Sequence, residues 1–365
     1  MQQYIINKPI RLIELFAGIG SQAMALRNLG ADFTTYRTCE WWIQPNASYK
    51  AIHCADDTKD YSADFSKEQI AEKLSRYGIS NNGKDPMAED KIRKKPEWWL
   101  REVYNNIWAT KNLVNIQNIT GDDLGVVETD KYTYIVTYSF PCQDLSVAGK
   151  MAGMDKGSGT RSGMLWEVER LLDEMKELPQ ILLMENVPQV MQRKNLHNFE
   201  AWQEFLTGKG YKNYAKILNA KDFGIPQNRQ RAYMVSILGD YDYQFPEETP
   251  LEKTMDDLLE DEVEEKFYVN SEAADGLITE LIQSGRLEKK VSKTIRGGGQ
   301  REQRPPRMGL NQDKKTMQIG NITKGASGWD NPSVGRVYDR KGLSPTLNSC
   351  TGGGTTTLYH SEVRQ

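Results

Sequence analysis

The sequence predicts an α/β fold: a doubly wound sheet with flanking helices over residues 1–240, then a smaller, loop-rich domain over 241–365. Three observations carry this. Short, nearly continuous apolar runs alternate with amphipathic helical stretches through the first two-thirds of the chain. The first of those runs ends in a glycine turn that opens a helix. After Gly239 the character changes to glycine clusters, prolines and short strand signals.

"IRLIELFAG" (Ile10–Gly18) suits a strand buried on both faces, as in a parallel sheet. "SQAMALRNLG" (Ser21–Gly30) is a helix with a glycine stop. "DFTTYRTCE" (Asp32–Glu40) and "YTYIVTYSF" (Tyr132–Phe140) are the next two strands. Between them, residues 59–113 are rich in Lys, Asp and Trp and form an insertion with its own helices. "SGMLWEVERLLDEMKE" (Ser162–Glu177) is an amphipathic helix. "QILLMENV" (Gln180–Val187) and "RAYMVSIL" (Arg231–Leu238) are further buried strands. Beyond them, "RGGGQ", "GRVYDRKGLSPTL" and "TGGGTTT" mark the second domain.

The 365 residues are 38% hydrophobic and 27% charged, enough for two domains and a sizeable core. No run of about 18 apolar residues occurs, so no membrane span is expected. The N-terminal stretch lacks a secretory pattern, and a cytoplasmic setting is expected. Cys39, Cys54, Cys142 and Cys350 form no C-x-x-C pair, and His53, His197 and His360 are scattered, so no metal site is expected. The net charge of −3 does not itself point to nucleic acid. Its distribution is more informative: Glu247–Lys266 holds ten acids, and Arg286–Arg307 holds eight bases, a candidate phosphate-contacting surface.

"ELFAGIGSQA" places Gly18-x-Gly20-x-x-Ala23 at a strand-to-helix turn, close to a dinucleotide fingerprint. Glu40 follows at the end of the next strand, where a carboxylate binds ribose hydroxyls, and Trp41 can stack on an adenine. These residues alone leave NAD, FAD and S-adenosylmethionine equally open.

Three further segments flank predicted strands: "SFPCQ" (Ser139–Gln143), "MENVP" (Met184–Pro188) and "QNRQR" (Gln227–Arg231). The carboxyl ends of strands in an open α/β sheet face the ligand crevice, so a cysteine, a carboxylate and two arginines can meet at one rim. A thiolate is a strong nucleophile. Its addition to C6 of cytosine, with a carboxyl group hydrogen-bonded at N3, turns C5 into an enamine carbon able to attack a sulfonium methyl. Hydride transfer needs no such cysteine.

With these segments in view, the chain resembles the DNA (cytosine-5)-methyltransferases of the bacterial or phage restriction-modification type. "FAGIG", "CEW", "GDDL", "SFPCQDLSVAG", "MENV" and "GIPQNRQRAYMV" stand in the family's order and spacing across residues 10–238. "GRVYDRKGLSPTLNSCTGGG" resembles the end of its target-recognition region. The resemblance implies a Rossmann-like S-adenosylmethionine-dependent methyltransferase sheet with a target-recognition domain, S-adenosyl-L-methionine as cofactor (S-adenosyl-L-homocysteine as product), no metal, and double-stranded DNA as partner. It implies that Cys142 is the nucleophile on C6 of a flipped-out base and that Glu185 contacts N3 and the exocyclic amine. Arg231 would hold O2 and orient Glu185, with Arg229 as its neighbour. Phe16, Gly18, Gly20, Glu40 and Trp41 would form the adenosyl site, Asp122 or Asp123 would reach the adenine amine, and Pro141 and Leu165 would line the pocket. Gln143 and Ser146 lie on the loop that closes on DNA, and Thr346 would contact backbone near the flipped nucleotide. Arg296, Arg301, Arg304 and Arg307 are candidate phosphate or guanine contacts.

Past the glycine cluster the family ordinarily continues with an arginine-rich helix and an asparagine-serine-valine segment, whereas this sequence ends in "TLYHSEVRQ". The corresponding expectation is a second chain that supplies those segments, or a catalytically weak half of a split enzyme. The alternative substrate is RNA: that branch shares the catalytic residues but carries a Cys-Phe-Thr signature absent here.

Overall fold

A computed structural model describes residues 2–142, 145, 153–157 and 161–258, with short pieces at 276, 279–280, 283–284, 318–321, 336–338 and 358–359. The chain divides into two units, Met1–Ile217 with Arg231–Phe245, and Leu218–Gln230 with Pro246–Gln365.

The first unit is built on a six-stranded, Rossmann-like sheet. Its strands are β1 (Ile10–Leu15), β2 (Phe33–Cys39), β3 (Thr133–Tyr138), β4 (Ile181–Asn186), β5 (Tyr211–Asn219) and β6 (Gln230–Leu238), in the order β2-β1-β3-β4-β6-β5. β1 pairs in parallel with β2 and β3, and β3 with β4. β6 runs antiparallel to β4.

Alternation along β1 decides which helix covers which face. Ile13 and Leu15 join a core with Val136, Tyr138, Leu182 and Met184, closed by α6 (Leu165–Glu174) and α7 (Leu196–Gly208) through Leu165, Val168, Leu172, Phe199 and Trp202. Ile10 and Leu12 point to the other face, against Ala23 of α1 (Ser21–Asn28) and Tyr49 of α2 (Ile43–His53). Both faces of the parallel strands are therefore covered, which is why those strands read as continuous apolar runs.

The insertion forms α3 (Lys67–Tyr77), α4 (Glu89–Arg93) and α5 (Glu97–Ala109). Ser66 and Gln69 make a capping box at the start of α3, and Gly78 ends it in the left-handed region. Ile70, Leu74, Ile92, Leu100, Val103 and Ile107 form a core of their own, with Trp41 and Ile43 packed against it.

The expected strands and helices all form, with shifted ends. The helix expected from Ser162 begins as a short 3-10 turn, Arg161–Met164, and becomes α-helical at Leu165. β5, α2 and α7 lie outside the expected elements. β5 is the sheet's edge strand and buries only its two end residues, so it carries little apolar signal.

In the second unit the Asn219 side chain accepts the Arg229 N–H at 2.9 Å and donates to Asn228 at 2.8 Å. Among its described residues, β7 (Gln318–Asn321), β8 (Arg336–Tyr338) and β9 (Leu358–Tyr359) form a three-stranded sheet.

Candidate active site

Strand register brings the candidate residues to one edge of the sheet. Leu15 stands opposite both Cys39 and Tyr138, and Tyr138 stands opposite Met184. The carboxyl ends of β1 to β4 are therefore level. Phe16–Gly20, Glu40–Trp41, Ser139–Cys142 and Glu185–Asn186 lie at or just past them. The antiparallel β6 starts where β4 ends, Ala232 facing Asn186, which puts Arg231 at the same edge.

The first turn is shaped for close approach. Phe16, Gly18 and Gly20 all have positive φ, at 57°, 56° and 81°. A β-carbon on Gly20 would run into the rings of His53 and Tyr49, whereas Gly18 faces open space. Glu40 accepts the Gly18 N–H at 3.0 Å and the Trp42 N–H at 2.8 Å, one on each carboxylate oxygen. Burial pushes the Glu40 pKa up, and these two bonds oppose that shift. Each oxygen keeps acceptor capacity for a further donor. A carboxylate beside an open glycine turn fits the hydroxyls of an adenosyl ribose.

Sequence reasoning missed the support under this turn. Glu14 is fully buried in β1, where it accepts the Ala23 N–H at 3.2 Å and the Tyr49 hydroxyl at 2.5 Å. It thus satisfies a backbone donor in the first turn of α1 and ties α2 to it. Burial raises its pKa, against the pull of Tyr49 and Ala23. His53 Nε2 lies 3.0 Å from the Ile19 carbonyl, and Arg27 donates to Nδ1 at 3.0 Å, which sets the neutral tautomer with the proton on Nε2.

The two acids of "GDDL" have different duties. Asp123 accepts the Thr120 N–H and hydroxyl at 2.7 and 2.9 Å, capping its own short helix. The Asp122 side chain is 70% exposed and lies 3.9 Å from the Lys176 ammonium. Asp122 is therefore the one open to a ligand. The preceding Gly121 is needed for packing, since a β-carbon there would lie 2.5 Å from the Leu171 carbonyl of α6.

Cys142 is half-buried and packs on the main core. Its loop is held from two sides. The Ser162 hydroxyl donates to the Pro141 carbonyl at 2.8 Å, and the Asn186 amide donates to the Phe140 carbonyl at 3.0 Å. Neither Ser162 nor Asn186 was singled out from sequence, although Asn186 sits inside the quoted "MENV". Glu185 and Arg231 form an ion pair at 2.9 Å, their side chains 21% and 14% exposed. Leu165 is fully buried at the start of α6. Arg229 belongs to the second unit. Gln143, Ser146, Arg296, Arg301, Arg304, Arg307 and Thr346 lie outside the described residues. Among the described residues, no group of three or more His, Cys, Asp or Glu side chains converges to hold a metal, and no helix is long and apolar enough to cross a membrane.

Comparison with known proteins identifies the family. The C-5 cytosine-specific DNA methylase family matches residues 73–350. The orphan methyltransferase M.SssI of Spiroplasma monobiae is 38% identical over 268 residues, 73% of this chain and 68% of its own length. The type II methyltransferase M2.ScrFI of Lactococcus lactis is 36% identical over 269 residues, 73% of this chain and 72% of its own length. Among solved structures, the S. pombe Dnmt2 methyltransferase overlaps 76% of this chain and 65% of its own, at 18% identity and a TM-score of 0.45. The family match and the two relatives show that this chain belongs to the C-5 cytosine-specific DNA methylases, enzymes that draw their methyl group from S-adenosylmethionine.

Proposed function

We propose that the chain methylates carbon-5 of cytosine in double-stranded DNA through a covalent adduct between Cys142 and C6. The observation that carries this reading is the shared edge: Cys142 lies just past the end of β3, and the Glu185–Arg231 pair stands at the junction of β4 and β6. C5 is inaccessible in a stacked duplex, so the base is extruded to meet that edge.

The Cys142 thiolate adds to C6, forming the sulfur–carbon bond. The Glu185 carboxyl group, in its acid form, donates to N3 and accepts from the exocyclic amine, stabilising the charge that develops in the ring. Arg231 keeps the carboxyl group in place and holds O2 of the base. The S-adenosylmethionine sulfonium, when bound, supplies the methyl group that C5 accepts. C5 then gives up its proton to solvent water and the bond to Cys142 breaks, restoring the aromatic ring and the thiolate. Glu40 holds the ribose hydroxyls, Phe16 and Trp41 flank the adenine, and Asp122 accepts from its amine. Gly18 and Gly20 let the backbone approach the donor, with Pro141 and Leu165 lining its pocket. Residues 241–365 read the DNA sequence, with the arginines from Arg296 to Arg307 as contacts.

Tritiated methyl transfer to duplex DNA and to transfer RNA tests the reading. Labelled duplex DNA with silent RNA is expected, and label on RNA alone overturns it. The same assay with an added polypeptide carrying the family's asparagine-serine-valine segment asks whether a second chain takes part. Bisulfite sequencing of DNA from expressing cells gives the bases read.

A further inference from the structure

We propose that the helical insertion serves as scaffold for the cofactor site, with Asn112 and Ser80 as positioning residues for Glu40–Trp42. The proposal rests on the reading of Glu40 as the ribose carboxylate. Its basis is the way the insertion leaves and rejoins the sheet. The returning chain lies alongside the end of β2: Leu113 N–H donates to the Thr38 carbonyl at 2.8 Å, and Thr38 N–H to the Lys111 carbonyl at 3.3 Å. At the next position the backbone ladder is replaced by a side chain. Asn112 Oδ1 accepts the Glu40 N–H at 2.9 Å, and its Nδ2 donates to the Glu40 carbonyl at 2.8 Å. One amide thus satisfies both main-chain groups of the residue whose carboxylate faces Gly18.

The same Asn112 oxygen accepts the Val114 N–H at 2.8 Å. Val114 is a buried, β-branched residue at φ 66°, and Lys111 is at φ 52°. Backbone strain on both sides of Asn112 persists only where the surroundings over-determine it, and such strain gathers at working sites. Ser80, also fully buried, holds the other end of the segment. Its N–H donates to the Trp41 carbonyl at 2.7 Å, and its carbonyl accepts the Ile43 N–H at 3.0 Å. Its hydroxyl donates to the Asp85 carbonyl at 2.6 Å and accepts the Gly83 N–H at 3.0 Å, closing a turn whose Gly83 faces the Trp42 ring. The insertion therefore grips residues 40–42 from both sides, and those residues supply the carboxylate, an aromatic ring and the Trp42 N–H that orients the carboxylate.

Asn112→Ala in the full chain tests this. S-adenosylhomocysteine is expected to bind about tenfold more weakly, and KM for S-adenosylmethionine to rise alike, with KM for DNA unchanged. Asn112→Asp keeps the two acceptor bonds and is expected to fall between the two. Ser80→Ala, which keeps the main-chain bonds, is expected to shift donor affinity in the same direction by less. Unchanged donor affinity in folded Asn112→Ala overturns the proposal, as does an equal loss toward donor and DNA. Should Asn112→Ala fail to fold, Asn112→Asp and Ser80→Ala decide by the same criterion. A wild-type chain that binds no S-adenosylhomocysteine, or a Glu40→Gln variant that binds it normally, defeats the ribose reading itself and this proposal with it.

Discussion

In the proposed reaction, single side chains divide into those that meet the substrate and those that hold the meeting place. Arg231→Ala removes one cation from the largely buried Glu185 carboxylate. A stability loss of about 1–3 kcal/mol and a fall in methyl transfer of at least about 100-fold are expected, from thermal melts and kinetics. Arg231→Lys keeps the charge but not the fork, and is not expected to restore activity. Glu14 invites the opposite comparison. Glu14→Ala orphans the Ala23 N–H and leaves the Tyr49 hydroxyl only its 3.4 Å contact with Thr35, and should cost about 2–3 kcal/mol in denaturant titration. Glu14→Gln keeps an acceptor and removes a buried charge, so it should stay within about 1 kcal/mol of wild type. Glu40 was legible because a glycine turn with an acid about twenty residues on has a known mechanism. Glu14 was not, because a single acid in an apolar run gives no sign that both of its oxygens are taken inside the fold.

His53 gives the residue scale a pH dependence. It is faced by Arg27 from α1, the Ile19 carbonyl and Gly20 from the turn, and Tyr49 from its own helix. Burial holds its pKa below the ordinary value, and the neighbouring Arg27 adds to this. The unfolded chain therefore takes up the proton first, near about pH 6.5, and the stability that His53 contributes is lost as the pH falls from there through its folded value. The stability difference between wild type and His53→Gln should narrow from about pH 7.5 to about pH 5, measured by chemical denaturation. A difference that does not change with pH would show that the ring's neutrality contributes nothing.

Elements set the geometry that these residues use. The two glycines of the turn have different reasons to be glycine, and they separate by experiment. Gly20→Ala forces a β-carbon into the His53 and Tyr49 rings at φ 81°, so a stability loss of about 2–4 kcal/mol is expected. Gly18→Ala meets only the strain of φ 56°, about 1 kcal/mol, and its main effect should be weaker binding of S-adenosylhomocysteine, read by calorimetry. The strands that carry the site were legible because burial on both faces leaves an apolar run in the sequence. β5 was not, since an edge strand shows little of it, and the antiparallel entry of β6 leaves no mark on a strand's own residues. The insertion was legible as a helical block. Its grip on Glu40 was not, because Asn112 and Ser80 lie far from Glu40 in sequence and belong to no motif.

At the scale of the whole molecule, the carboxyl edge of a Rossmann-like sheet brings four distant segments together. Membership in the C-5 cytosine-specific DNA methylases rests on sequence, and the edge supplies a physical reason for the chemistry. Cys142, the Glu185–Arg231 pair and Glu40 all sit where parallel strands end and the antiparallel strand begins. The central claim is that Cys142 bonds to the target base. DNA containing 5-fluorocytosine tests it most directly, because fluorine at C5 prevents the proton loss that releases the enzyme. With S-adenosylmethionine present, the chain should form a protein–DNA adduct that survives denaturation, and Cys142→Ala should form none. An adduct undiminished in Cys142→Ala, or methyl transfer to ordinary cytosine by a chain that never forms the adduct, would contradict the account.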